Sequence, residues 1–84
     1  MYDCLITFRS VMPAQRAEEL LNQQGIRCSV RRTEKWMENQ GCGYSLWLRS
    51  GYLPRAVSLL RKNAIAYRKV YRKGEDGALE EVQI

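Results

Sequence analysis

The chain has 84 residues, of which 45% are hydrophobic and 27% are charged, and its net charge is +5. This length is enough for one small two-layer domain and excludes a deep substrate cavity with a separate lid. No uncharged run is long enough to cross a membrane, and Met1 leads directly into a strand-like segment. We therefore expect no membrane span, no signal peptide and a cytoplasmic location. The absence of histidine excludes Ser–His and Cys–His catalytic sites as they are usually built.

The charge is unevenly distributed along the chain. All 14 Lys and Arg residues lie in residues 1–73 with five acidic residues, whereas residues 74–84 carry four acidic residues and no basic one. We therefore divide the chain into a folded domain, residues 1–73, and an acidic C-terminal tail, residues 74–84. The basic body indicates an anionic partner, although cations that only solvate the surface are an equally good interpretation.

The three cysteines indicate a reduced protein with free thiols. Their number is odd, and their spacings of 24 and 14 residues match no zinc signature. A metal site built on all three is a poor alternative because a fourth ligand is missing. We therefore expect no metal site and no cofactor.

The first half of the chain predicts a strand, a helix and a second strand. Residues 3–8 are apolar and β-prone, which is typical of a central strand buried on both faces. Ser10 is a helix N-cap, and apolar residues then recur at three- and four-residue spacing up to Gly25, where we expect the helix to end. Residues 26–32 alternate between apolar and polar side chains, which indicates a half-exposed edge strand, and residues 33–41 form a polar connection.

The second half predicts a strand, a helix and a further strand. Residues 43–49 alternate again, Pro54 opens a second helix, and residues 65–71 form a fourth strand. Residues 78–84 are either a short extra strand or a frayed end. The order β-α-β-β-α-β predicts a ferredoxin-like α+β sandwich, in which a four-stranded antiparallel sheet has two helices on one face. The first and third strands should lie side by side in its middle.

The segment Gly41-Cys42-Gly43 is the main candidate for a functional site. The two glycines leave little steric cover around the thiol, which lies where a polar connection meets a strand. A thiol exposed there can be reached by another protein, whereas Cys4 and Cys28 lie inside apolar segments and are predicted to be buried. The alternative is that Cys42 is only a small residue tolerated in a tight loop.

The predicted topology puts Cys42 near Arg9, Ser10 and the first amides of the first helix. A helix N-terminus carries about half a positive charge, and its unpaired N–H groups stabilise anions. Together with the charge of Arg9, this position favours the thiolate, which is the form that attacks sulfur. We therefore predict a site in which Cys42 carries the reaction, Gly43 allows access, and Arg9 and Ser10 tune the charge.

Three segments of the chain resemble a known family of small bacterial domains, the Se/S carrier protein-like family. They are Leu5-Ile6-Thr7-Phe8-Arg9-Ser10, the Ala17-Glu18-Glu19-Leu20-Leu21 helix with Gly25-Ile26, and Cys42-Gly43-Tyr44-Ser45-Leu46, within a resemblance that covers roughly residues 2–71. The Cys-Gly pair is the most specific of these motifs. The resemblance implies a carrier cysteine, at Cys42, that holds a persulfide or perselenide. We therefore expect a relay between a donor enzyme, such as a cysteine desulfurase, and an acceptor protein, more than an enzyme with turnover of its own.

Two alternatives from other classes stay open. Ferredoxin-like sheets can bind single-stranded nucleic acid through aromatic and basic side chains. The candidates here are Tyr44, Trp47, Tyr67 and Tyr71, with Arg49, Arg68, Lys69, Arg72 and Lys73. No run matches the usual RNA-binding motif, and by alternation half of the aromatic residues should point into the core. The other alternative is an interaction module in which the open sheet face or the edge strand 26–32 docks a partner or pairs two copies.

Overall fold

A computed structural model describes residues 2–32 and 43–82 as two helices and five strands. The strands and helices, in chain order, are β1 (Cys4–Phe8), α1 (Val11–Gln23), β2 (Cys28–Arg32), β3 (Tyr44–Leu48), α2 (Leu53–Lys62), β4 (Val70–Lys73) and β5 (Leu79–Glu81). A 3-10 turn, Ser50–Tyr52, leads into α2. Within these two described ranges, neither helix is long and apolar enough to cross a membrane.

All five strands form one antiparallel sheet in the order β2-β3-β1-β4-β5. The predicted neighbours, the first and third strands, are paired, with Phe8 opposite Tyr44 and Cys4 opposite Leu48. The sheet has five strands and not the predicted four, and of the two alternatives left open for residues 78–84 the short extra strand is the one found. Residues 79–81, which lie in the segment predicted as an acidic tail, pair with β4 and extend the sheet by one strand. The α+β class and the two helices are as predicted.

The main core lies between the sheet and the two helices. The buried stripes of α1 and α2 pack against every second residue of the central strands. This cluster contains Cys4, Ile6, Phe8, Ala14, Ala17, Leu21, Ile26, Leu46, Leu48, Leu53, Ala56, Val57, Leu60, Ile65 and Val70. We call this side of the sheet the helix-covered face. The alternation predicted for residues 43–49 puts Leu46 and Leu48 on it.

We call the opposite side the helix-free face, because neither helix within residues 2–32 and 43–82 packs on it. By the same alternation it carries Leu5, Thr7, Ser45, Trp47 and Tyr71. Leu5 and Thr7 are 0% and 1% exposed, so β1 is buried on both faces, as predicted. The Thr7 hydroxyl donates to the Lys69 carbonyl oxygen at 3.2 Å and accepts from the Lys69 amide at 3.0 Å. The hydroxyl, the one polar group of this buried side chain, therefore both donates and accepts a hydrogen bond, which offsets the cost of burying it.

Both helices end at a residue with a left-handed backbone. Gly25 follows α1 with φ +79°, which confirms its predicted role as the helix stop. Ala64 takes the equivalent place after α2 with φ +56°. In each case the next amide closes the helix end, since Ile26 donates to the Leu21 carbonyl and Ile65 to the Leu60 carbonyl, both at 2.9 Å.

The fourth strand begins later than predicted, at Val70 instead of residue 65. The reason is that Ile65 still belongs to the closure of α2, so the chain needs several residues to return to the sheet. The first contacts with β1 are irregular. The Thr7 carbonyl accepts from the Arg68 amide at 2.7 Å, while the Lys69 amide is diverted to the Thr7 hydroxyl. Two residues here face one residue of β1, which is the arrangement of a β-bulge.

Candidate functional site

Three strand termini meet at one end of the sheet. Phe8 ends β1, Arg32 ends β2, and both are paired with Tyr44, the first residue of β3. Gly43, buried, lies one residue before Tyr44. Helix α1 begins at Val11, three residues after Phe8, so its N-terminus starts from the same end of the sheet.

Three of the four predicted site residues belong to the described part of the chain and lie near this end of the sheet. Arg9 and Ser10 are exposed and link β1 to α1, and Gly43 leads into β3. Cys42 itself lies outside the described residues. Its predicted role, and the tuning roles of Arg9 and Ser10, therefore stay predictions.

The N-terminus of α1 has the character of an anion-stabilising helix end. Ser10 is its N-cap, with φ −141° and ψ 169°, and within the described residues its side chain makes no capping hydrogen bond. The first turn contains no acidic residue. The amides of Val11 and Met12 thus form a positive helix pole that no carboxylate of the first turn neutralises.

Cys4 is a structural residue of the helix-covered face. It is 0% exposed, and its thiol donates to the Leu48 carbonyl oxygen at 3.3 Å. Burial, reinforced by the negative charge of Asp3, raises the pKa of Cys4 to about 12. At neutral pH this thiol is therefore protonated, and it cannot serve as a nucleophile.

Cys28 is half-buried and is also held as a thiol. Its Sγ lies 3.7 Å from both the Glu18 carbonyl oxygen and Asn22 Oδ1 of α1. Burial and the charge of Glu18 raise the pKa of Cys28 to about 11. The prediction that Cys28 is buried is therefore met only in part, but its thiolate is still disfavoured.

The two described cysteines are far from the strand end that carries Gly43. Cys4 and Cys28 are both opposite Leu48, on either side of β3, so their Cα atoms are about 10 Å apart, beyond disulfide range. Leu48 is the last residue of β3, and Gly43 precedes the first. At the rise of an extended strand this distance is about 17 Å. Among the described residues, no three His, Cys, Asp or Glu side chains cluster as metal ligands.

The edge strand β2 is blocked at its centre by a side chain. The Val30 amide points away from β3 and donates to Glu18 Oε2 at 3.0 Å. A docking strand would need this amide as a donor. The edge is therefore a poorer docking site than the sequence indicated.

The aromatic residues divide between the two faces of the sheet, as alternation predicted. Tyr44 and Tyr67 pack against the main core, whereas Trp47 and Tyr71 lie on the helix-free face. One contact on the helix-free face was not predicted: Arg31 Cζ lies 5.4 Å from the centroid of the Trp47 ring. The sequence contains a sign of this contact, because antiparallel pairing of residues 26–32 with residues 43–49 puts alternate residues of both strands on a common face.

Comparison with known protein families matches residues 3–72 to the family described as "Putative Se/S carrier protein-like". No curated protein and no solved structure gives a significant match. The match spans β1 to β4 and both helices, and it extends over far more than half of the sequence. The chain therefore belongs to the Se/S carrier protein-like family.

Proposed function

We propose that this protein is a sulfur or selenium carrier that holds the transferred atom on Cys42. In the loading step, the Cys42 thiolate attacks the outer sulfur of a donor persulfide, R–S–SH. The new bond joins Cys42 Sγ to that sulfur, the donor S–S bond breaks, and the electron pair leaves with the donor thiolate, R–S⁻. A perselenide would form in the same way from a donor R–S–SeH.

In the release step Cys42 is the leaving group, whereas in the loading step it is the nucleophile. A nucleophile of the acceptor attacks the terminal sulfur or selenium, and Cys42 leaves as the thiolate. No external oxidant or reductant is needed, because the atom is transferred at the same oxidation level in both steps. The protein acts as a relay between a donor enzyme, such as a cysteine desulfurase, and an acceptor protein in the reducing cytoplasm.

The single observation that carries this proposal is the family match over residues 3–72. The choice of Cys42 among the three cysteines has separate support. The pKa values of Cys4 and Cys28 are raised to about 12 and about 11, so neither supplies a thiolate at neutral pH. Both also lie at the end of β3 remote from Gly43, the residue bonded to Cys42.

The remaining site residues have supporting roles in the proposal. Arg9 and the α1 N-terminus would stabilise the thiolate and the persulfide anion, and Ser10 would contribute a hydroxyl donor. Gly43 would leave room for the donor to approach. We further propose that β1 to β4 with the two helices form a ferredoxin-like unit, to which β5 is an addition.

Intact mass spectrometry tests the proposal. The protein is incubated with a cysteine desulfurase and cysteine under anaerobic conditions, and its mass is measured without reductant. We expect a gain of one sulfur atom that dithiothreitol removes. The gain should be absent in Cys42→Ser and retained in Cys28→Ser, which is the matched control because Cys28 is the partly accessible cysteine.

Alkylation provides a second readout of the same site. Cys42 should react with iodoacetamide near neutral pH faster than an ordinary exposed thiol, and Arg9→Gln should slow it. Sulfur found on Cys28 instead of Cys42 would contradict the assignment of the residue. No sulfur on any cysteine, together with ordinary reactivity of Cys42, would contradict the carrier function.

A further inference from the structure

Two aromatic rings flank one residue on the helix-free face. Trp47 of β3 and Tyr71 of β4 are paired with Leu5 of β1 from opposite sides. Since adjacent strands are about 4.8 Å apart, these two ring-bearing positions are about 10 Å apart across the sheet. Both side chains are half-buried, so each packs against its surroundings and keeps an accessible part.

The Trp47 ring is held in a fixed orientation. Its indole N–H donates to Ser45 Oγ at 3.0 Å, and the Ser45 hydroxyl donates to the Arg31 carbonyl oxygen at 3.2 Å. The Arg31 guanidinium lies over the ring, with Cζ 5.4 Å from its centroid. A ring fixed in advance loses little entropy on binding, and both indole and guanidinium planes stack on nucleobases.

The same face carries an excess of positive charge. Among the described residues, including those directly beyond the strand ends, its charged residues are the exposed cations Arg9, Arg27, Arg31, Arg49, Lys69 and Lys73 and the acids Asp3 and Glu81. Both acids are engaged: Asp3 accepts hydrogen bonds from the Ser50 amide and hydroxyl, and Glu81 Oε1 lies 3.6 Å from Lys69 Nζ. The charge presented to a ligand is therefore positive on both sides of the aromatic pair.

We propose that the helix-free face binds single-stranded nucleic acid. Trp47 and Tyr71 stack on two bases, while Arg31, Arg49 and Lys73 contact the phosphates. This combination of rings on a sheet and cations at its margins fits unpaired bases, because the bases of a duplex have no free faces. A second copy of the chain is a poor occupant, since it would bring the same cations together.

Fluorescence anisotropy with labelled oligouridine and oligothymidine of about 12 nucleotides tests this proposal. We expect binding that weakens with salt, and no comparable binding to a duplex of the same length. Trp47→Leu and Tyr71→Leu should each weaken binding by about 5- to 150-fold, the range for loss of one stacked base. Arg31→Gln should reduce the slope of log affinity against log salt by about 0.7, as expected for one lost phosphate contact.

Two further variants separate stacking from damage to the fold. Trp47→Phe keeps a ring and should bind close to the wild type, whereas Met12→Ala removes a 65% exposed apolar side chain of α1, on the other side of the sheet, and should have no effect. Circular dichroism identifies any variant that has lost its fold. The binding of the variants that keep the fold then tests the proposal. Equal binding of duplex, wild-type binding by both leucine variants, or no binding at about 50 mM salt would overturn the proposal. Tighter binding of polyglutamate, unaffected by Trp47→Leu, would overturn it in favour of an acidic protein partner.

Discussion

The two faces of the sheet bury leucines equally well in different surroundings. Leu46 of β3 is fully buried on the helix-covered face, inside the cluster that contains the apolar stripes of both helices. Leu5 of β1 is also fully buried, but it is on the helix-free face and outside that cluster. Zero exposure alone therefore does not determine how much a side chain contributes to the free energy of unfolding. The contribution also depends on how far the neighbours can close the space that a truncation leaves.

The largest effect is expected for Leu46→Ala. Helix α1 packs on β3, and β1 and β2 flank this side chain within the main core, so the cavity can collapse only in part. We expect the free energy of unfolding to fall by about 3–5 kcal/mol, measured by urea denaturation. A loss below about 2 kcal/mol would show that the helix layer is more deformable than its packing indicates.

The matched truncation on the other face is Leu5→Ala. No helix of the described chain lies over this face, so neighbouring side chains or water can enter the space more easily. We expect a loss of about 2–3 kcal/mol in the same assay, at the lower end of the range for such truncations. An equal loss of unfolding free energy in Leu5→Ala and Leu46→Ala would contradict the expectation that the helix-free face closes a cavity more easily.

Thr7 lies on the same face as Leu5 and tests how much a buried hydrogen bond, as distinct from apolar packing, stabilises this face. Replacing it with valine keeps the shape and removes the hydroxyl, which leaves the Lys69 amide without its acceptor. We expect Thr7→Val to lower the free energy of unfolding by about 1–3 kcal/mol. Thr7→Ser, which retains the hydroxyl, is the control and should cost less than Thr7→Val. The opposite order would mean that the methyl group matters more than the hydrogen bond.

The smallest effect is expected at Asp3, at the margin of the helix-free face. Hydrogen bonds from the Ser50 hydroxyl and amide lower the pKa of Asp3 below its ordinary value of 3.8. The stabilisation is therefore present above the ordinary pKa and is lost as the pH falls through the lowered folded-state pKa. Asp3→Asn should cost about 1 kcal/mol near neutral pH and progressively less in acid. A cost that does not change with pH, followed by urea denaturation, would contradict this linkage.

The sequence predicted those parts of the fold that depend on local patterns. Gly25 ends α1 because only a residue tolerant of a left-handed backbone fits there, and the alternation in residues 43–49 gives the two faces of β3. The start of β4 could not be predicted in this way. Ala64 adopts the conformation that Gly25 adopts, but alanine gives no such signal, so residues 65–69 were interpreted as strand.

The places of Arg9, Ser10 and Gly43 in the fold were predictable, whereas the side-chain contacts of the helix-free face were not. The order of the elements was enough to bring Arg9, Ser10 and Gly43 to one end of the sheet. The contact between Arg31 and Trp47 depends on the register of two strands and on a hydrogen bond through Ser45, which no local pattern specifies. The β5 strand was uncertain for a related reason, since its pairing with the basic β4 is a contact between strands that no local pattern in the acidic segment specifies.

The bond between Glu18 and the Val30 amide has a consequence for how this molecule behaves at high concentration. A sheet with a bare outer strand offers a template on which further chains can add, and such growth leads to fibrils. Here a carboxylate from the neighbouring helix occupies the central donor of that template at 3.0 Å. At the other end of the sheet, Glu80 and Glu81 put negative charge on the last strand. One helix residue and a short acidic strand thus protect the two edges of the five-stranded sheet from pairing with strands of other molecules.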